Sequence, residues 1–369
     1  MKYRKIGKTD LSSSCIGLGT FEIGGSSWWD ELDDKKSIRT IQAALDLGVN
    51  FIDTAPVYGY GHSEQLVGRA IKGYRDKVII ATKVGEEFIG YNEGRFHYHH
   101  DGKNVYTCLT KKAIFRQIED SLRNLDTDYI DIYSPHYFFD DTSIGSIEEA
   151  MDTFLILKKQ GKIRYVSVSN MTYEHLKNFN EVNDMGICGM QLFCNVLDHD
   201  ILSSNIVKYL VENGLSAFGI NSMAKGLLAG VFPDDYQVKP GSERSESPWF
   251  LDGMTAKVNE MLRSWAPLCE KYSASTSAIA IAWTLAQPGF THIMAGAVEP
   301  EHVKANANAS DIELEPQEIT FLTNVAEKLK AETIDCEREN ARHTFEKLAK
   351  DRIPVILWGA GVTADYILT

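Results

Sequence analysis

The chain has 369 residues, longer than a typical single domain, although α/β barrels reach this size as one domain. Its 44% hydrophobic and 24% charged content is that of an ordinary soluble globular protein, and acidic residues outnumber basic ones 51 to 38, for a net charge of −13. That balance argues against a nucleic-acid or anionic-membrane partner, and no apolar run has membrane-spanning length.

In chain order, "KYRKIGKTDLSS" reads as a hairpin plugging the bottom of a barrel. A recurring unit follows: an amphipathic segment, a glycine, a short apolar run, then polar residues. "SIRTIQAALDLGVNFID" carries Ile38, Ile41 and Leu45 at helical spacing, a stop at Gly48 and then a strand. The unit returns with Ile114, Ile118, Leu122 and Leu125 before "YIDIY", and again through Gly161, Gly214 and Gly289. These patterns predict strands near 15–18, 50–53, 78–82, 129–133, 164–168, 189–193, 215–219 and 291–295. Alternating β and α units favour a parallel sheet, and eight of them favour a closed (β/α)8 TIM barrel. Two long insertions, "GEEFIGYNEGRFHYHHDGKNVYT" and "FPDDYQVKPGSERSESPWFLDG", follow the third and seventh strands, where barrels build binding loops.

In such a barrel the residues at the strand ends share one pocket. "NFIDTAPVYG" drives a carboxylate, Asp53, to the end of a buried run and sets a phenol, Tyr58, just beyond it. An unpaired buried carboxylate is costly, so a cation must come from elsewhere, and Lys83 of "IIATKVG" supplies it. His136 follows the fourth strand, Ser169 and Asn170 follow the fifth, and Gln191 lies in the sixth. An ammonium beside a phenol lowers a pKa that starts near 10, while a histidine orients a carbonyl oxygen. Such a tyrosine gives a proton to a carbonyl or takes one from an alcohol. The accompanying hydride has no side-chain source, so a nicotinamide cofactor is expected.

Over residues 1–330 these motifs, with "GKIRYVSVSN", "GLLAG" and "AWTLAQPG", resemble the aldo-keto reductases in the family's own order. The resemblance implies Tyr58 as general acid/base, Lys83 and Asp53 as its tuners, and His136 as the group orienting the carbonyl. It implies that Ser169, Asn170 and Gln191 hold the nicotinamide amide, joined by Gly19 and Thr20 at the first strand end. The "NSMAKGLLAG" loop, with Lys225 and Gly226, would cover the pyrophosphate; Gly296, Glu299, His302 and Asn306 would grip the adenosine end. The chain departs from the family at Ile220-Asn221-Ser222-Met223, where most relatives stack an aromatic ring on the nicotinamide and follow it with Ser-Pro-Leu.

The expected function is hydride transfer between NAD(P) and the carbonyl or alcohol of a small polar substrate (a sugar, polyol or aldehyde). Two other readings compete: a cofactor-binding regulatory or partner subunit, and a lyase using Lys83 as a Schiff-base nucleophile. Trp28 and Trp29 after the first strand, and His97 in the first insertion, are candidate substrate-pocket residues. The histidines there lack partner ligands at fixed spacing, so no metal is expected. NAD is favoured over NADP because Glu299 and Glu301 stand where phosphate-preferring relatives carry basic residues, and a carboxylate suits the free ribose hydroxyls. The competing reading has Glu299 in solvent and Lys304 supplying positive charge. Six cysteines without a C-x-x-C read as free thiols of a reducing compartment, and with no signal peptide the cytoplasm is the expected location. Oligomeric state is left open. Residues 331–369 form a C-terminal extension whose "IPVILWGAGVTA" matches G-x-G-x-x-A after a strand, read as the truncated start of a second, Rossmann-type domain.

Overall fold

The computed structural model describes residues 1–25, 29, 33–251 and 253–350, with side chains to 333. Strands β1 (Tyr3–Lys5) and β2 (Ser12–Ser14) pair antiparallel as the expected N-terminal hairpin. Then come β3 (Ile16–Gly19), β4 (Phe51–Asp53) and β5 (Ile79–Val84), followed by a local antiparallel sheet of β6 (Glu86–Glu87), β7 (Arg95–His100) and β8 (Lys103–Thr107). The chain returns to the barrel with β9 (Ile130–Pro135), β10 (Ile163–Val166), β11 (Val168–Ser169), β12 (Gly189–Phe193), β13 (Ser216–Ile220) and β14 (Phe290–Gly296). All eight strands expected from the pattern are present. The barrel sheet counts nine because Ser167 splits the fifth into β10, which pairs with β9, and β11, which pairs with β12. Every neighbouring pair is parallel, and helices fill most of the connections.

Two cores divide the apolar side chains. The larger lies between strands and helices, which present stripes such as Ile114, Ile118 and Leu122 to it. Several helices begin at side-chain caps, Asp33, Thr110, Ser146 and Ser275 among them. The four glycines read as stops, Gly48, Gly161, Gly214 and Gly289, all sit at positive φ, which a side chain would disfavour. The smaller core fills the barrel: Phe51, Ile79, Ala81, Ile132, Phe218 and Met294 pack against Ile6 and Leu11 from the hairpin turn. The hairpin therefore plugs the barrel bottom and leaves the strand C-termini as the open end.

At the far end of the chain a single helix runs from Pro316 to Lys350, across the boundary expected near 330. The strand and glycine motif read in 353–364 lie outside the described residues. The five described cysteines are free thiols, and among the described residues no helix is long and apolar enough to cross a membrane.

Candidate active site

A cavity of roughly 230 Å³ opens at the C-terminal ends of the strands. Register brings its chemistry together. Asp53 pairs with Ala81, so Lys83, two residues further along β5, points to the same face as Ala81. The Lys83 ammonium lies 2.8 Å from Asp53 Oδ2 and donates to Thr54 O at 2.9 Å and to the Tyr58 hydroxyl at 3.1 Å. Three oxygens thus enclose the Lys83 nitrogen. Gln191 Nε2 donates to the other Asp53 oxygen at 2.5 Å, and Lys83 is only 1% exposed, so the pair is held away from water.

Tyr58 carries a correction. The expectation that the ammonium lowers its pKa does not hold: the phenol is pushed well above its ordinary range, first by burial, then by Asp53, Glu86, Glu22 and Glu243. Lys83's charge is matched by Asp53 at contact distance, and carboxylates from separate segments then prevail. The hydroxyl therefore holds its proton more firmly than a free phenol.

His136, mostly buried, lines the cavity with its ring edge-on to Tyr58, the centroids 6.1 Å apart. Its Nδ1 lies against Glu86 Oε2, an ion pair when the ring is protonated. Glu86 also accepts from the Tyr98 hydroxyl at 3.1 Å, and His97 Nδ1 lies 3.6 Å from the same oxygen. Burial would raise the Glu86 pKa, but His136 and His97 outweigh it and bring it down to about 2.

The sequence reading missed Glu86, Tyr60, Tyr98, His100, Tyr137 and Phe193, all on the cavity wall. A carboxylate just past Lys83, at the head of a long insertion, was the available signal. His97 is not on that wall; its ring packs against Tyr137 and Phe139, centroids 4.6 and 5.2 Å away. Trp29 lines the cavity, edge-on to Phe21, with the Arg244 guanidinium 4.7 Å above its ring. Trp28 lies outside the described residues. No cluster of three or more His, Cys, Asp or Glu suited to a metal occurs among the described residues.

The residues that resemblance implied for a dinucleotide fall into two groups. Gly19, Thr20, Ser169, Asn170 and Gln191 line the cavity, as do Ile220, Asn221, Ser222, Met223, Lys225, Gly226 and Gly296. The 221–226 loop has left-handed backbone at Asn221, Ala224, Lys225 and Gly226. The buried Ser222 Oγ has no partner among the described residues, which fits a loop awaiting a polar ligand. The second insertion holds this loop: Lys225 Nζ pairs with Glu243 at 2.8 Å, and Arg244 Nε donates to Lys225 O at 3.0 Å. Glu299, His302 and Asn306 stand beyond the cavity. Asn306 Nδ2 donates to Gly296 O at 3.0 Å, and exposed His302 donates its backbone N–H to Glu299 O at 3.1 Å. Glu299 itself is ion-paired with Lys36 from the first helix, which, with His302, lowers its pKa.

Comparison with known proteins adds the following. Residues 15–327 match the sequence model of the Aldo/keto reductase family. The chain is 33% identical over 331 residues to an NADH-specific methylglyoxal reductase of Escherichia coli, covering 89% of this chain and 99% of that protein. It is 32% identical over 308 residues to an aldo-keto reductase of Bacillus subtilis, covering 83% and 87%. Among solved structures, a glycerol dehydrogenase from Gluconobacter oxydans superposes with a TM-score of 0.77 at 31% identity, covering 88% of this chain and 94% of that one.

Proposed function

Because the chain belongs to the aldo/keto reductase family, oxidoreductases that work with NAD(P), we propose that it reduces a small, neutral, polar carbonyl compound with Tyr58 as the proton donor. The observation that carries this reading is the chain of contacts Gln191–Asp53–Lys83–Tyr58, which ends at a half-buried hydroxyl on the cavity wall. A bound nicotinamide would supply the hydride; Ser169, Asn170 and the 220–226 loop are the residues to hold it. Tyr58 then gives its proton to the carbonyl oxygen, and Lys83 stabilises the phenolate left behind at 3.1 Å from its own nitrogen. His136 orients the same oxygen, and Asp53 keeps the ammonium in place. The lyase alternative is disfavoured by the setting of Lys83, whose nitrogen is buried and enclosed by Asp53, Thr54 and Tyr58.

For the substrate, the wall carries Glu22, Glu86 and Glu243 while Lys83 and Lys225 are each already paired, which disfavours carboxylate or phosphate substrates. The hydroxyls of Tyr60, Tyr98 and Tyr137 suit a polyhydroxy or dicarbonyl compound, in keeping with the names of the two relatives above. Methylglyoxal or glyceraldehyde should be turned over far better than pyruvate or glyoxylate.

For the cofactor, NADH is the proposed partner. The Escherichia coli relative is NADH-specific, and Glu299 begins the helix Pro300–Asn308 as a carboxylate oriented by Lys36. A fluorescence titration with NADH and NADPH tests this: NADH should bind more tightly, and Glu299→Arg should move the preference toward NADPH. A wild-type preference for NADPH of about tenfold or more would reverse the assignment and turn attention to Lys36 and Lys304.

A further inference from the structure

We propose that Glu86 is a positioning residue that commits His136 to carrying a proton on Nδ1, so that Nε2 is the ring nitrogen offered to the substrate oxygen. Glu86 sits in the two-residue strand β6, is 4% exposed, and forms part of the cavity wall. One of its oxygens, Oε2, lies against His136 Nδ1, an ion pair when the ring is protonated, and hydrogen-bonds to no other described residue. The other accepts from Tyr98 and lies near His97, so hairpin strand β7 holds the carboxylate from behind. His136 Nε2 makes no hydrogen bond to any described residue, and the ring lines the cavity beside Tyr58.

The chemistry follows from the two tautomers of imidazole. An ionised carboxylate only accepts, so the nitrogen facing it must carry the proton. The charged His136 and His97 rings outweigh burial and bring the Glu86 pKa down to about 2. With Nδ1–H fixed, a neutral ring turns the Nε2 lone pair to the cavity, where it accepts from the hydroxyl of an alcohol. A charged ring turns an Nε2–H there, which donates to the oxygen of a carbonyl. One fixed orientation thus serves both directions of the reaction, and Glu86 itself exchanges no atom. Without the carboxylate a neutral ring is free to move its proton to Nε2 and lose the acceptor. The catalytic consequence rests on the oxidoreductase reading above; the tautomer does not.

The decisive measurement is long-range 1H–15N NMR of the cofactor-free protein with 15N-labelled histidine, at a pH where the His136 ring is neutral. The His136 signal is assigned by its loss in His136→Gln. Nδ1–H in the wild type is the expected result; Nε2–H would overturn the proposal, whether or not any variant folds. In Glu86→Gln, whose amide can turn either an oxygen or an NH2 to the ring, an Nε2–H population should appear. Turnover of methylglyoxal by that variant should fall on the order of tenfold while NADH affinity by fluorescence stays within about twofold. Placed in a His136→Gln background, Glu86→Gln should cost almost nothing further. An equal cost in both backgrounds would show that Glu86 does not act through His136. Failure of NADH to bind the wild type would instead count against the oxidoreductase reading alone.

Discussion

The cavity has two kinds of wall, and they are built differently. The inner one, Asp53 and Gln191 with Lys83 in contact with Asp53, hangs from strand ends of the barrel itself, where parallel register decides which side chains meet. The outer one, Glu86, Tyr98 and His100, comes from a hairpin inserted after β5, whose own antiparallel pairing (Glu86 with Thr107, His100 with Lys103) aims it. The inner set closes on itself: each Lys83 proton has a partner and both Asp53 oxygens are engaged. The outer set reaches into the cavity and touches the inner one through His136. A barrel rim can therefore keep proton chemistry fixed while an insertion shapes and orients what arrives.

The largest expected effect falls on the inner wall. Tyr58→Phe removes the hydroxyl that Lys83 hydrogen-bonds and should lower kcat by about 10²–10⁴-fold, with nucleotide affinity changed no more than a few-fold. Steady-state kinetics beside a fluorescence titration separates the two quantities; near-normal turnover would transfer the proton donor's role to the outer wall. Next is Lys83→Met, which leaves the Asp53 carboxylate buried with Gln191 but no cation. A loss of about 3–5 kcal/mol in urea unfolding is expected, because one partner of a buried pair remains uncompensated. A stability close to wild type would show that Asp53 reaches water, and that the inner wall is looser than its contacts suggest.

The same division explains what could be read from the sequence. Strand ends were legible because a β/α repeat fixes their direction, so Asp53, Tyr58, Lys83 and His136 could be gathered before any coordinates. The hairpin was not. Alternation along "RFHYHH" cannot tell which residues face inward, and the register shift between Phe96 and Tyr98 breaks that alternation. Tyr98 and His100 line the cavity while His97 turns toward Tyr137 and Phe139. The direction of the Tyr58 shift was misread for a related reason: burial raises it first, and Glu22, Glu86 and Glu243 then converge from three distant segments, which only the fold brings together. Glu299 likewise meets its partner, Lys36, across most of the chain.

The smallest expected effect compares barrel and hairpin through acid. His292 on β14 is fully buried between the rings of Phe51 and Phe218, and burial lowers its pKa from 6.5 to about 4. The unfolded ring takes up a proton below pH 6.5 that the folded ring refuses, so this residue removes stability as pH falls from about 6.5 to 4. Glu86 has the opposite charge type and a lower window. Its pKa falls from 4.5 to about 2, so the stability it contributes is complete above 4.5 and is lost as pH drops toward 2. Each group changes stability by at most about 1.4 kcal/mol per pH unit. Urea midpoints measured from pH 7 to 2 should show His292→Phe flattening the upper window only and Glu86→Gln the lower window only. If both variants flatten the same window, barrel and hairpin titrate as one unit, and the separation of the two walls fails.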